Sequence, residues 1–222
     1  MARRKDRLEE WKLEIENSYG VRVTAIVKDL SREEAAREIY GELQEKKIAV
    51  DQMVNNAGAG KMGRVVDADP ETMQALLHLN VVSVTLLGRY FGRDMEERGR
   101  GRILNVSSMG AFLPDPWSNV YGPTKAYERF LTETMYGERK GENATVTARC
   151  PGPTKTGWAR NAKFAKNLDE VAREGFIAMQ RGELVCIPDA DYRAIRCLAA
   201  HLPAACQADL IGRWQKSLIG QE

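Results

Sequence analysis

Histidine is scarce in this chain: His78 and His201 are the only two among 222 residues. Cysteine is little better represented, with Cys150, Cys186, Cys197 and Cys206 and no C-x-x-C pair. That ligand supply argues against zinc, so no metal site is expected. Dispersed cysteines of this kind read as reduced thiols of a cytoplasmic protein rather than as a disulfide framework. No apolar run approaches the ~20 residues of a membrane-spanning helix, and no signal-peptide pattern opens the chain. Charge of one sign is missing too, since 33 Lys and Arg against 31 Asp and Glu leave a net +2. No arginine-rich tract interleaves with aromatics, so nothing points to nucleic acid. What is present, 43% hydrophobic and 29% charged residues without repeats or low-complexity tracts, describes one soluble globular domain over residues 1–222.

Strand and helix patterns alternate along the chain. Residues 6–19 place Leu8, Trp11, Ile15 and Tyr19 at helical spacing, and Gly20 supplies the stop. Val21–Val27 alternates and is β-branched, which predicts a strand leading into Asp29-Leu30. Ser31 and Glu34 form a capping box for a helix reaching about Lys46, with Ala35, Ile39 and Leu43 inward. Asp51–Val54 is the next strand. Asp69-Pro70-Glu71 opens a long helix to about Glu97, whose inward stripe is Met73, Leu77, Asn80, Val84, Leu87, Phe91 and Met95. Strands follow at 102–107, 145–150 and 184–187, with a helix from Tyr121 to about Gly137 and two amphipathic helices at the end. Strands alternating with helices predict right-handed βαβ units, hence an α/β fold with a doubly wound parallel sheet. Ligands of such sheets sit at the carboxyl ends of the strands. Asp29, Asn55, Ser108 and Pro151 all fall at such ends.

One stretch carries candidate chemistry. The strand ending Asn105-Val106-Ser107-Ser108 runs on to Tyr121, and Lys125 follows four residues later. A helix starting near Pro123 puts residues 121 and 125 one turn apart on one face. A phenol beside an ammonium should have a lowered pKa, which a free tyrosine near ~10 needs for acid–base work at neutral pH. Ser108 could aim its hydroxyl at the same substrate oxygen. Asn80 falls on an apolar helix face, where a buried amide either bonds to backbone or serves the site.

With Asn55-Asn56-Ala57-Gly58, Asn80, Ser108, Tyr121, Lys125 and Pro151-Gly152-Pro153-Thr154-Lys155-Thr156 in this order and spacing, the chain resembles the short-chain dehydrogenase/reductase family. The likeness runs from residue 3 to about residue 190. It implies a Rossmann-like fold and interconversion of a small-molecule carbonyl and a secondary alcohol by hydride transfer. Tyr121 would be the acid/base, Ser108 would polarise the carbonyl, Lys125 would lower the phenol's pKa and bind the nicotinamide ribose, and Asn80 would hold a relay water. On the cofactor side, Asp29 and Leu30 would contact adenine and Asn56, Ala57 and Gly58 would line its cleft. Pro151, Gly152, Thr154 and Thr156 would hold the nicotinamide carboxamide. Arg3 and Arg4 stand where basic residues grip a ribose 2′-phosphate, which points to NADP, with NAD possible. Residues 157–182 match the variable substrate lid. The family's pairing through its two long helices implies a homodimer or homotetramer.

One element departs from that pattern. A dinucleotide's pyrophosphate needs a strand, a glycine-rich G-x-x-x-G-x-G turn and a helix N-terminus, and no stretch of this chain supplies them. The expectation is an N-terminally truncated domain lacking its first βα unit and most of its second strand, in which NADP binding is impaired. The 21–27 strand would then either pair directly with 51–55 or seek an edge on another chain. Two other readings use the same residues: a cofactor-free dehydratase or isomerase built on Tyr121, Lys125 and Ser108, and a non-catalytic interaction protein.

Overall fold

The computed structural model describes residues 3–139, 141, 143–154, 166–187, 190–199 and 201–219. Four parallel strands form one sheet in chain order: β1 (Gln52–Asn55), β2 (Gly101–Val106), β3 (Ala144–Arg149) and β4 (Val185–Cys186). The helices are α1 (Lys5–Tyr19), α2 (Ala35–Glu45), α3 (Pro70–Leu77), α4 (Ser83–Glu97), α5 (Tyr121–Glu138), α6 (Leu168–Arg181), α7 (Ala190–Ala199) and α8 (Ala204–Ile219).

Register explains the layering. Met53, Ile103 and Val146 lie in one row across the sheet. Because successive side chains of a strand point to opposite faces, all three meet the same helices. They form one core with Ala35, Ala36 and Ile39 of α2 and Leu87, Phe91 and Met95 of α4. Asn105, two residues on from Ile103, reaches Thr132 of α5 from that same face. Arg149, on the other face, donates to Val171 O at 3.1 Å and to Glu174 in α6. Helices therefore cover both faces, as the predicted doubly wound α/β sheet requires.

Capping chemistry sets several boundaries. Asp69 accepts from Thr72 N at 2.9 Å ahead of Pro70, and Asn167 accepts from Asp169 N at 3.0 Å to start α6. Gly20 ends α1 at φ 63°, in the left-handed region that glycine enters without strain.

Three expectations require correction. Among the described residues, 21–27 add no strand to the sheet and do not pair with β1, which pairs with β2; Val27 makes a lone bridge. Alternation suits a strand, but a ladder needs a neighbour whose backbone groups are free. The segment instead runs as extended coil and covers the core with Ile26 and Leu30. The Ser31–Glu34 capping box does not form, because Ser31 gives both its N–H and its hydroxyl to Asp29 Oδ1, at 3.0 and 2.7 Å. The helix over 70–97 contains a π-turn at His78–Val82. That extra residue moves the inward stripe, so Leu76 is buried while Leu77 is exposed. Part of the stretch read as a substrate lid, Leu168–Arg181, is a helix with Gly175, Ala178 and Met179 buried. Residues 155–165, which include Thr156, lie outside the described residues.

Candidate active site

β2 delivers the site. Its buried residues carry the chain to Ser108, whose Oγ accepts from Gly110 N at 3.2 Å and so fixes the turn beyond the strand. The chain returns through Asp115–Val120, where Trp117 and Asn119 adopt positive φ, and enters α5 at Tyr121. Gly63 N donates to Trp117 O at 2.7 Å and Asn119 N donates to Gly63 O at 3.1 Å. These bonds tie the loop beyond β1 to the entrance of α5. Trp117 Nε1 donates to Gly212 O at 3.2 Å, and Gln215 donates to Asp115, so α8 braces the same loop.

Tyr121 is half-buried and hydrogen-bonded to the Ser108 hydroxyl. Burial pushes the phenol's pKa up, the Ser108 bond offsets part of this, and the negative charges of Glu128 and Asp115 push the same way as burial. The expected acidification by Lys125 is therefore corrected: the phenol titrates above, not below, its ordinary range. Lys125 is buried, with Nζ 5.9 Å from the Tyr121 ring centroid. Its ammonium donates to Val106 O at 2.8 Å and to the two carboxylate oxygens of Glu128 at 2.8 and 3.0 Å. Glu128 is thus paired with the cation that the phenol was expected to feel.

Asn80, 0% exposed, sits in the π-turn and bonds to the chain itself. Its Nδ2 donates to Ala59 O at 2.8 Å and to Thr124 Oγ1 at 2.9 Å, while its Oδ1 accepts from Ala59 N at 3.1 Å. It clamps the loop beyond β1 to the first turn of α5. Gly58 lies in that loop: a Cβ there would stand 3.0 Å from Lys125 Nζ and 3.5 Å from Asn80 Oδ1. Ser108, Tyr121, Lys125, Asn80 and Gly58 thus converge at the carboxyl end of β2.

The remaining predicted positions spread along the same edge of the sheet. Asn56, Ala57 and Gly58 are exposed just beyond β1. Pro151 O accepts from Met109 N at 3.0 Å, which joins the ends of β2 and β3. Thr154 Oγ1 donates to Gly152 O at 3.2 Å, and the Tyr192 ring of α7 packs on Gly152. Arg3 and Arg4 stand at the start of α1, with Arg3 3.8 Å from Asp29 in an exposed pair. The hydrogen bonds from Ser31 hold the Asp29 carboxyl below its ordinary range. Leu30 places its side chain in the core, so any contact it makes at this edge is through its backbone.

Glu128 and Asp115 were absent from the sequence reading. The i, i+3 spacing from Lys125 could have flagged Glu128. Asp115 is a loop residue with no periodic signal. No group of acidic, histidine and cysteine side chains able to hold a metal occurs among the described residues. No helix among them is long and apolar enough to cross a membrane.

The sequence profile described as short chain dehydrogenase matches residues 1–167. An uncharacterized short-chain type dehydrogenase/reductase of Sinorhizobium fredii is 33% identical over 150 residues, covering 67% of this chain and 58% of that protein. The very-long-chain 3-oxoacyl-CoA reductase of Rattus norvegicus is 30% identical over 182 residues, covering 80% of this chain and 57% of that protein. The chain thus spans less than two thirds of the length of either relative. A short-chain dehydrogenase from Sphingobium yanoikuyae, solved in complex with NADPH, superposes with a TM-score of 0.78 at 26% identity, covering 99% of this chain and 84% of that one.

Proposed function

Because this chain belongs to the short-chain dehydrogenase/reductase family and is an oxidoreductase of that type, we propose that it interconverts a carbonyl and a secondary alcohol, with NADP as the redox partner and Tyr121 as the acid/base. The observation that carries this reading is the hydrogen-bonded pair of hydroxyls, Ser108 and Tyr121, one helical turn from a buried lysine at the carboxyl end of β2. The phenol's raised pKa keeps it protonated, as a donor to a carbonyl oxygen must be, but makes it a weaker acid than the acidified phenol the sequence led one to expect, and works against it as the base in the reverse direction. In the reduction direction the phenol gives its proton to that oxygen and Ser108 polarises the same atom. In the reverse direction Tyr121 takes the proton from the alcohol.

A nicotinamide dinucleotide supplies or accepts the hydride when bound. At its nicotinamide–ribose end, Lys125 would have to give up one of its bonds to Val106 O and Glu128 to hold a ribose hydroxyl, and the Pro151–Thr154 turn stands at the end of β3. The described residues do not offer a cradle for the diphosphate: the glycines that follow a strand, Gly58, Gly60 and Gly63 after β1, lead into a short turn at Val65–Asp67, and α3 starts only at Pro70. Arg3 and Arg4 favour a 2′-phosphate over a bare ribose. Asn80 acts first as the clamp that holds the cofactor-side loop on α5. The family's mode of pairing, through α4 and α5, supports a homodimer or homotetramer. Four free thiols suit a cytoplasmic setting.

The test is Tyr121→Phe assayed with NADPH and a panel of ketones. Loss of carbonyl reduction by about 10²-fold or more with an unchanged melting curve supports the role, and unchanged turnover refutes it. Turnover of a hydroxy or carbonyl compound with no nucleotide present would favour the cofactor-free acid–base reading instead.

A further inference from the structure

The last two helices reverse the usual amphipathic arrangement. α7 meets the rest of the chain through Tyr192, whose ring packs on Gly152, and through Arg196, whose guanidinium stands 4.7 Å from the Phe112 ring centroid. α8 meets it through Gly212 and Gln215: Gly212 O accepts from Trp117 Nε1 at 3.2 Å, and the Gln215 amide donates to Asp115. The inward positions are thus a phenol, a cation, a glycine and an amide. The aliphatic residues lie elsewhere. Ile195, Leu198 and Leu202 recur at i, i+3 and i+7, which makes one stripe along α7 and its exit, and all three are exposed, Leu198 by 72%. On α8, Leu210 and Trp214 are exposed by 63% and 61%. At about 100° per residue, both lie about 160° around that helix from Gly212. Single exposed leucines are ordinary, but outward apolar stripes on two successive helices mark a contact surface.

We propose that the outward side of α7 and α8 docks this protein on the surface of an anionic lipid bilayer. Charge selects that partner. Arg193, Arg196, Arg213 and Lys216 are exposed on these helices, against two acids, Asp191 and Asp209. The rest of the chain holds 29 Lys and Arg and 29 Asp and Glu, so the whole net charge of +2 resides on α7 and α8. Helices that combine exposed Leu and Trp with Lys and Arg lie in the interface plane, the apolar side among the acyl chains and the cations at anionic headgroups. Neither helix is long and apolar enough to cross the bilayer, so the contact is with one leaflet. A second copy of the chain suits the face less well. A two-fold contact sets a patch against itself, here cation against cation, whereas an anionic leaflet neutralises all four. The docked α8 also braces the loop ahead of Tyr121, but docking is independent of the reaction proposed for that residue.

The experiment is flotation of the full chain, without nucleotide or substrate, on vesicles of phosphatidylcholine alone and of phosphatidylcholine mixed equally with phosphatidylglycerol. The chain should bind the mixed vesicles about tenfold or more tightly than the neutral ones, the effect expected of a small excess of cations at an anionic surface, and added salt should erase the difference. Leu198→Glu and Leu210→Glu change exposed positions, where the fold tolerates substitution, so melting curves should hold while binding falls by about tenfold. Leu13→Glu, at an exposed leucine of α1, should leave binding unchanged. No flotation, flotation indifferent to vesicle charge, or equal losses in all three variants overturns the proposal. Sedimentation velocity without vesicles tests the other occupant. A dimer that Leu198→Glu and Leu210→Glu dissociate assigns the face to a second copy and overturns the bilayer, and the same species in parent and variants supports it. Absent carbonyl reduction would sink the proposed reaction and leave this result standing, and the converse holds as well.

Discussion

Gly58 and Lys125 approach so closely that a methyl group on the glycine would lie 3.0 Å from the ammonium nitrogen. The lysine tip cannot swing aside freely, because three hydrogen bonds hold it. Gly58→Ala should therefore destabilise the fold by about 1–3 kcal/mol, the usual cost of overpacking. In a Lys125→Ala background the added methyl enters vacated space, and the penalty should shrink to within about 0.5 kcal/mol. A double-mutant cycle by urea denaturation reads the difference. Equal penalties in both backgrounds would mean that the glycine answers to another constraint.

Asn80 satisfies Ala59 in both directions and also bonds to Thr124. Asn80→Ala leaves the Ala59 N–H and C=O without those partners beside a buried cavity, at a cost of about 2–3 kcal/mol. Thr124→Val removes the bond from Asn80 and the bond to Tyr121 O but leaves Ala59 its partners, and should cost no more than about 2 kcal/mol. Limited proteolysis gives an independent view: cleavage within residues 56–63 should accelerate in Asn80→Ala and not in Thr124→Val. Equal cleavage rates would show that the clamp is not what orders this loop.

How far the sequence could be read follows from what kind of fact each feature is. β2 and β3 lie within a residue or two of their apolar, β-branched runs, because strands covered on both faces need such runs. The 21–27 segment has the same local pattern and joins no ladder, since pairing depends on a neighbouring strand and not on the segment itself. The π-turn at 78–82 shifts a helical stripe by one residue with no change of composition, so Leu77 was expected inward where Leu76 lies. Tyr121 and Lys125 were legible as an i, i+4 pair, and the site did assemble around them. The sense of the electrostatics was not legible, because it turns first on burial of the phenol and then on the charges of Glu128 and Asp115. A carboxylate three residues along an amphipathic helix ordinarily faces water.

Two aromatics on α5 are exposed among the described residues: Phe130 is 59% exposed and Tyr127 39%. If α4 and α5 form the subunit contact, Phe130→Glu should convert the dimer or tetramer to a smaller species, because an unpaired charge would be buried at the centre of the interface. Analytical ultracentrifugation of the parent and the variant measures this. An unchanged sedimentation coefficient would exclude this helix pair as the contact.

Stability should fall as pH rises through the neutral range, and Glu128 should be the cause. Its folded-state carboxyl is pushed up to about 7 by burial, whereas in the unfolded chain a glutamate titrates near ~4.3. Between those values the folded protein holds a proton that the unfolded chain has released. Unfolding therefore sheds a proton, and raising the pH favours the unfolded state. The full effect is about 4 kcal/mol at 1.36 kcal/mol per pH unit, or roughly 8–16 °C in Tm for a chain of this size. The carboxyls held low by hydrogen bonds and cations, such as Asp29 and Glu38, act in the opposite sense and only in the acid range. Melting curves between pH 5 and 8 should thus decline in the unaltered chain, and Glu128→Gln should remove that part of the slope. A parent and variant with parallel profiles would place the Glu128 proton elsewhere and take away the basis for its titration near neutrality.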